Sequence, residues 1–283
     1  MSNDYLNSYI QLEAIAGLST PHWIKTSRAT LADSPDPNEE IWRKKTTQLL
    51  RQLFVKFNIE ISPKSFVEIG AHEASISLEL KQIGITNIYA IEANPHVYNK
   101  FESNLKNYGI QYLNFAISSS SNDVEMSIPL FSTDLARADS SLLKRTANAE
   151  YKSVRIKSKT LDSFINTEHL DDVSLWIDTE GLTLEVLKSA MHSLNKVVLI
   201  HTEVEDIHYW ENQGTALEVF QYLSNNNFVA VARDMDGRGQ FNVIFVRESY
   251  VHKLGGLISD YWKNISALKS ESEKKKKSRF FGS

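Results

Sequence analysis

The chain has 283 residues, of which 42% are hydrophobic and 23% charged, and no cysteine. That composition supports a full-sized core and excludes a disordered or fibrous chain, a disulfide framework, a thiolate metal site and a cysteine nucleophile. Lys and Arg number 31 against 35 Asp and Glu, a net charge of −4 at pH 7, so no nucleic-acid partner is expected from the surface as a whole.

No run approaches the roughly 20 apolar residues that span a bilayer, and Met1-Ser2-Asn3-Asp4 has neither the basic nor the apolar region of a secretory leader. The default address is therefore the reducing cytoplasm. Residues 1–60 read as a broken helical N-terminal cap, with apolar positions over Tyr5–Ile15, a loop through Ser34-Pro35-Asp36-Pro37-Asn38, and a helix from Ile41 to Phe57.

From residue 61 to about 268 short β-rich runs alternate with helical stretches, the sequence form of an α/β parallel sheet. Ser65–Ile69 is the first strand. The next helix carries Ile76, Leu80 and Ile83 and stops at Gly84, and Ile88–Ile91 is the second strand. Asn94 offers an N-cap oxygen and Pro95 a first helical residue without an N–H, opening a helix with Val97, Phe101 and Leu105 on one face. Gln111–Ile117 reads as strand three. Residues 118–159 form an irregular insertion, with β-like runs at Val124–Phe131 and Val154–Lys157 around a polar segment containing Ser140-Ser141-Leu142, that covers the sheet edge or a cleft.

Ser174–Asp178 is strand four, followed by a helix bearing Leu184, Leu187, Met191 and Leu194, and Val197–Thr202 is strand five. A helix over Ala216–Leu223 leads to Phe228–Arg233, the turn-rich Asp234-Met235-Asp236-Gly237-Arg238-Gly239, and Gln240–Val246. So short a link joins only antiparallel strands, so the sheet is mostly parallel but closes on an antiparallel C-terminal hairpin. Residues 269–283, with Lys274-Lys275-Lys276-Lys277, read as a basic, disordered tail that could make weak peripheral contact with anionic lipid; the plainer reading is a solvating terminus.

Ligands of open α/β sheets bind beyond the carboxyl ends of the strands, where the first β–α turn exposes backbone N–H groups. Here that turn is Phe66-Val67-Glu68-Ile69-Gly70-Ala71-His72, and the second strand ends in Ile91-Glu92-Ala93-Asn94-Pro95. Glu92 follows Gly70 at about the spacing of some 20 residues at which an acid accepts ribose hydroxyls. His72 and Ser75 occupy the places of glycines that a pyrophosphate would need. Glu68, just before the turn, would repel pyrophosphate but suit the cationic end of S-adenosylmethionine, which is the expected cofactor.

These segments resemble the FkbM family of class I S-adenosylmethionine-dependent methyltransferases. The resemblance spans roughly Ser65–Glu205 and adds Phe115-Ala116-Ile117-Ser118, Ser140-Ser141-Leu142, Thr160-Leu161-Asp162, Thr202-Glu203-Val204 and, most specifically, Ile177-Asp178-Thr179-Glu180-Gly181 with Glu185-Val186-Leu187-Lys188. It implies a Rossmann-like sheet, with Glu68, Gly70, Ala71 and His72 on the methionine side, Glu92 and Ala93 at the ribose, and Ala116, Ile117 and Ser118 at the adenine. It also implies O-methylation of a sugar, a glycan or a small natural product. The chain departs from the family pattern at His72 and Ala74, where Asn and Gly are usual.

Methyl transfer to a hydroxyl is assisted by a base. Candidates at the ends of strands four and five are Asp178, Glu180, Glu203 and His201. Each has a plainer alternative: Asp178 and Glu180 as helix-start acids, Glu203 as a surface acid, His201 as a hydrogen-bonded core residue. Asp178, Glu180, Glu203 and Glu205 could group around Mg²⁺, but no ligand spacing demands it and no tightly bound metal is expected. The alternatives in other classes are a catalytically silent protein that binds S-adenosylmethionine or another nucleoside, and a nicotinamide-dependent oxidoreductase.

Overall fold

The structure, a computed structural model, describes residues 37–130, 135–136, 140–146, 150–205, 207–234 and 240–280, and the side chains of 44–268 among them. The helix expected at Tyr5–Ile15, the loop Ser34-Pro35-Asp36, the hairpin tip at 235–239 and the chain end at 281–283 lie outside those residues. Two units are distinguished, Ser62–Tyr222 and the pair of segments Met1–Ile61 and Leu223–Ser283.

After helix α1 (Pro37–Ile61), the elements of the Ser62–Tyr222 unit follow as β1 (Ser65–Ile69), α2 (Ser75–Gln82), β2 (Ile88–Ile91), α3 (Pro95–Asn107), β3 (Gln111–Leu113), β4 (Ala116–Ile117), β5 (Val124–Pro129), β6 (Tyr151–Ile156), β7 (Ser158–Lys159), α4 (Leu161–Thr167), β8 (Val173–Ile177), α5 (Thr183–Lys188) and β9 (Val197–Glu205), with α6 (Ala216–Asn225) beginning at its end. Five strands pair in parallel in the order β9-β8-β1-β2-β3. Every residue of β1 and of β2 is buried, as expected of strands covered by helices on both faces, and this is why they read as unbroken apolar runs.

The Asn94–Pro95 start is as the sequence predicts: the Asn94 side chain accepts from the His96 N–H at 2.9 Å, and Pro95 opens α3. Val97 and Leu105 are buried along the helix. Thr160 caps α4 in the same way, accepting from the Ser163 N–H at 3.0 Å.

Two expected elements differ. Strand three is not continuous over Gln111–Ile117: β3 pairs with β2, whereas β4 pairs with β7 in a separate two-stranded piece. The helix expected through Met191 and Leu194 ends at Lys188, so Met191 lies outside it and is exposed, while Leu194 is buried from a short 3₁₀ turn. The two β-like runs of the insertion are strands, as the sequence predicts, and they pair with each other. β5 and β6 form an antiparallel pair in register from Val124↔Ile156 to Pro129↔Tyr151, and Met126, Ile128 and Ile156 pack with Ala116 in a small core of their own.

In the second unit, α1 packs with the helix α7 (Glu248–Phe280), and β10 (Phe228–Arg233) and β11 (Gln240–Arg247) form the expected antiparallel hairpin, with an irregularity between Ala230 and Ala232. Arg233 is buried, with its guanidinium 3.7 Å from the centre of the Phe241 ring. The buried Asp234 carboxylate accepts from the Thr47 hydroxyl at 2.8 Å and from Asn242. Tyr261 and Trp262 of α7 donate to the carbonyls of Arg233 and Val231, at 2.5 and 3.0 Å. The backbone of the basic segment belongs to α7 as far as Phe280, where the sequence reading has a disordered tail. Among the described residues no helix is long and apolar enough to cross a membrane.

Candidate functional site

β1 and β8 are neighbours, yet the chain leaves β1 toward β2 and leaves β8 toward β9, on opposite sides of the pair. Such a switch point opens a crevice at the carboxyl ends of the two strands. The Asp178 N–H donates to the Ile69 carbonyl at 2.9 Å, locking the ends of β8 and β1 together. Gly70 follows Ile69 with φ +79°, and a Cβ there would fall 1.8 Å from the Asp178 carbonyl oxygen. Only glycine fits.

A cavity of about 310 Å³ opens here. Gly70, His72, Glu92, Ala93, Asp178, Thr179, Glu180 and Glu203 form its polar side, and Phe115, Ala116, Ile117, Met126, Leu142 and Leu182 contribute an apolar wall. Part of that wall belongs to the insertion, which is tied down at two points: the Asn94 amide donates to the Leu135 carbonyl (2.9 Å) and to the Ser140 hydroxyl (3.1 Å), and the Ser141 hydroxyl donates to the Glu180 carbonyl (2.6 Å). The alternation Val124-Glu125-Met126-Ser127-Ile128 is the sequence signal that could have assigned Met126 to an inward face.

Glu92 is buried and accepts from the backbone N–H groups of His72 (2.8 Å) and Asn94 (2.7 Å). Burial is the main reason that its pKa rises to about 7; the backbone N–H groups of Asn94, His72 and Ala93 oppose it, and the nearby Asp178 charge adds to it. A carboxylate offers about four lone-pair positions, so the backbone donors leave acceptor capacity for a hydroxyl. Asp178 is exposed to the cavity, and partial desolvation by the protein around it raises its pKa to about 6. Glu205, just beyond Glu203 on β9, is buried outside the cavity lining; burial foremost, then the charges of Glu180 and Asp178, raises it to about 7.

His72 and Ala74 have φ of +46° and +54°, left-handed conformations that a side chain disfavours. These are the two positions at which the family pattern prefers Asn and Gly. Tyr112 holds the turn, its hydroxyl donating to the His72 carbonyl at 2.5 Å. The His72 ring lies 5.3 Å from that of Phe101, and burial lowers its pKa, which favours the neutral imidazole.

Four expected site residues do not line the cavity. Glu68 is buried, and its carboxylate accepts from both the N–H (3.0 Å) and the hydroxyl (2.5 Å) of Ser77, so it serves the first turn of α2 rather than a ligand's cationic end. Ala71 is buried, its N–H on the Ile91 carbonyl. Ser118 turns into the loop and donates to the Ser120 carbonyl at 3.0 Å. His201 is buried and stacks on Trp176, with ring centres 3.4 Å apart. Among the described residues no group of three or more His, Asp or Glu is placed to hold a metal ion.

The sheet order and the acid-lined crevice at its switch point define a Rossmann-like α/β protein with a ligand site at the carboxyl ends of its strands. Residues 68–230, more than half of the chain, match the methyltransferase FkbM domain. The chain belongs to the FkbM methyltransferase family, and its cofactor is S-adenosylmethionine. No curated protein matches it.

Similar solved structures include the magnesium protoporphyrin IX methyltransferase of Synechocystis PCC 6803 with bound S-adenosylmethionine (10% identity, 85% of this chain and 97% of that one, TM-score 0.41). The ribosomal protein L11 methylase of Lactobacillus delbrueckii subsp. bulgaricus is similar at 12% identity (72% and 79%, TM-score 0.39). So is M. capricolum TrmK with S-adenosyl-homocysteine, at 12% identity (65% and 62%, TM-score 0.37).

The residues present fit the cofactor. The volume lies within the range of roughly 300–1,000 Å³ typical of small-molecule sites. Gly70 leaves the backbone bare where a ligand must approach, Glu92 retains acceptor positions for a ribose, and Phe115, Ile117, Met126 and Leu142 offer apolar surface to a flat base.

Proposed function

We propose that this methyltransferase acts on a hydroxyl of a sugar, a glycan or a small natural product, with Asp178 as the base. In this reading Gly70, Ala71 and His72 shape the methionine side of the cofactor site, Glu92 and Ala93 the ribose side, and Ala116 and Ile117 the adenine side. The bound cofactor supplies an electrophilic methyl group. The protein's part is to hold the hydroxyl in line and take its proton.

One observation carries the reading: Asp178 opens into the same cavity as Glu92, flanked by Glu180 and Glu203, with its pKa near 6. A carboxyl with that pKa is ionised at neutral pH yet more basic than an ordinary aspartate, as a general base requires. Glu180 and Glu203 would orient the acceptor by accepting from its other hydroxyls. The second reading, a protein that binds the cofactor without turnover, is favoured by His72 and Ala74, left-handed residues at the two positions where the family pattern has Asn and Gly.

Label transfer from methyl-tritiated S-adenosylmethionine to a panel of glycosides and hydroxylated natural products separates the two. The hydroxyl reading expects label in an ether that resists mild base. Calorimetric binding of S-adenosylmethionine and S-adenosyl-homocysteine with no labelled acceptor in the panel would favour the silent protein.

A further inference from the structure

A second cavity, of about 420 Å³, lies against the same turn as the first. Glu180 lines the first, Gly181 the second and Leu182 both. We infer that this second cavity holds a neutral sugar unit of the acceptor, next to the unit that is methylated. The inference rests on the hydroxyl-transfer reading and narrows it to glycosylated or oligomeric acceptors.

The cavity is built, not incidental. Gly181 has φ +76°, and a Cβ there would meet the Trp210 ring at 2.6 Å, so the turn carrying Asp178 and Glu180 is packed directly on the loop that follows β9. That loop is zipped to the insertion: Arg145 and Trp210 form an antiparallel bridge, the Glu211 N–H donates to the Lys144 carbonyl at 2.8 Å, and the Thr146 N–H donates to the Tyr209 carbonyl at 2.9 Å. Gly214 lies so close to Leu184 that a Cβ would fall 2.6 Å from it. Asn212 and Gln213 are thereby fixed at the wall.

The lining has the chemistry of a polyol site. Leu182 and Leu184 give an apolar floor suited to the C–H face of a pyranose. Around it, Glu185 and Glu218 are already oriented by one carboxylate oxygen each, Glu185 on the Ser119 N–H at 2.9 Å and Glu218 on the Thr215 N–H at 2.8 Å. The other oxygen of each is left to accept from a hydroxyl. Two acids against the single Lys188 disfavour a phosphate or a nucleic acid, and Lys188 and Asn212 supply donors.

Gln213 adds an independent sign. It is 4% exposed, and its Oε1 accepts from the Trp210 N–H at 2.7 Å, which fixes the amide so that Nε2 is the other end. That Nε2 has no acceptor among the described residues. Buried donors are seldom left so, and Gln213 lines the cavity, so under this inference a small turn of its amide brings Nε2 to a ligand oxygen that supplies the missing partner. Binding energy gathered here, away from the reacting hydroxyl, would help to position that hydroxyl at Asp178.

The test is saturation-transfer NMR on the full chain, saturated with S-adenosyl-homocysteine, against a library of methyl glycosides of hexoses, 6-deoxyhexoses and pentoses. Gln213→Glu keeps the bond to Trp210 and replaces the donor with an acceptor; Lys188→Ala is an exposed change that spares the fold. The expected result is saturation of at least one glycoside in the wild type, with affinity weakened about fivefold or more in both variants, the loss of one hydrogen bond, while S-adenosyl-homocysteine affinity is unchanged. Absence of saturation for every glycoside, or undiminished binding in both variants, overturns the inference. Binding of this kind with no label transfer to any glycoside would support the sugar site and count against the methyl-transfer reading instead.

Discussion

Asp178→Asn lowers turnover by about 10²–10⁴-fold, the usual contribution of a positioned general base, with S-adenosyl-homocysteine affinity of the same order as in the wild type. The substitution is isosteric, and the backbone N–H of residue 178 still donates to the Ile69 carbonyl, so the strand ends stay locked and only the proton acceptor is lost. In the wild type, with the cofactor saturating at every pH so that Glu92 does not enter, the acid limb of the pH profile of kcat reports this group: activity rises with pH as Asp178 ionises near 6. In the Asn variant that limb disappears from the residual rate. Near wild-type turnover in the variant would reduce Asp178 to a helix-start acid.

Gly70→Ala acts on the fold of the site rather than on its chemistry. The added Cβ must occupy a point 1.8 Å from one backbone atom of Asp178 and 2.8 Å from another, at a φ of +79°. Neither obstacle is the end of a flexible side chain, so β1 and β8 must separate at their carboxyl ends. The left-handed penalty and the overpacking together amount to about 2–5 kcal/mol. The midpoint of thermal unfolding is expected to fall by roughly 5–15 °C, and the stabilisation normally conferred by S-adenosyl-homocysteine to vanish. A variant that still gains full thermal protection from the ligand would show that the turn is not part of the cofactor site.

The parts of the fold that the sequence discloses are those in which one local pattern decides the outcome. β1, β2, β8 and β9 are short apolar runs because parallel strands are covered on both faces, and Asn94–Pro95 declares a helix start by itself. The break between β3 and β4 was not legible, because Gln111–Ile117 keeps a strand-like composition while its pairing partner changes from β2 to β7. Met191 keeps helical spacing with Leu184 and Leu187, yet the chain has already turned out of α5 at Ser189.

At the site, strand-end position correctly brings Gly70, Glu92 and Asp178 together, since topology alone places them. It does not bring Glu68 or His201 to the cavity: Glu68 precedes the end of β1 by one residue and turns toward α2, and β9 runs on to Glu205, which leaves His201 in mid-strand. Ser77 takes the first, and Trp176 covers the second. The long-range ties that make the insertion a cavity wall, Asn94 to Ser140 and Ser141 to Glu180, join residues 46 and 39 positions apart. No local pattern could have revealed them.

The pairing of Glu92 with the cofactor ribose is tested most directly by calorimetry of S-adenosyl-homocysteine binding to the wild type and to Glu92→Ala. Loss of a hydrogen bond to a charged group, about 1.5–3 kcal/mol, predicts affinity weaker by roughly 10- to 150-fold. Wild-type affinity should also climb as the pH is raised through about 7, because burial keeps Glu92 protonated below that value and ribose hydroxyls need the ionised acceptor. The variant should show no such climb. Equal affinity in the two proteins, with the same pH dependence, would contradict the assignment of this cavity to the cofactor.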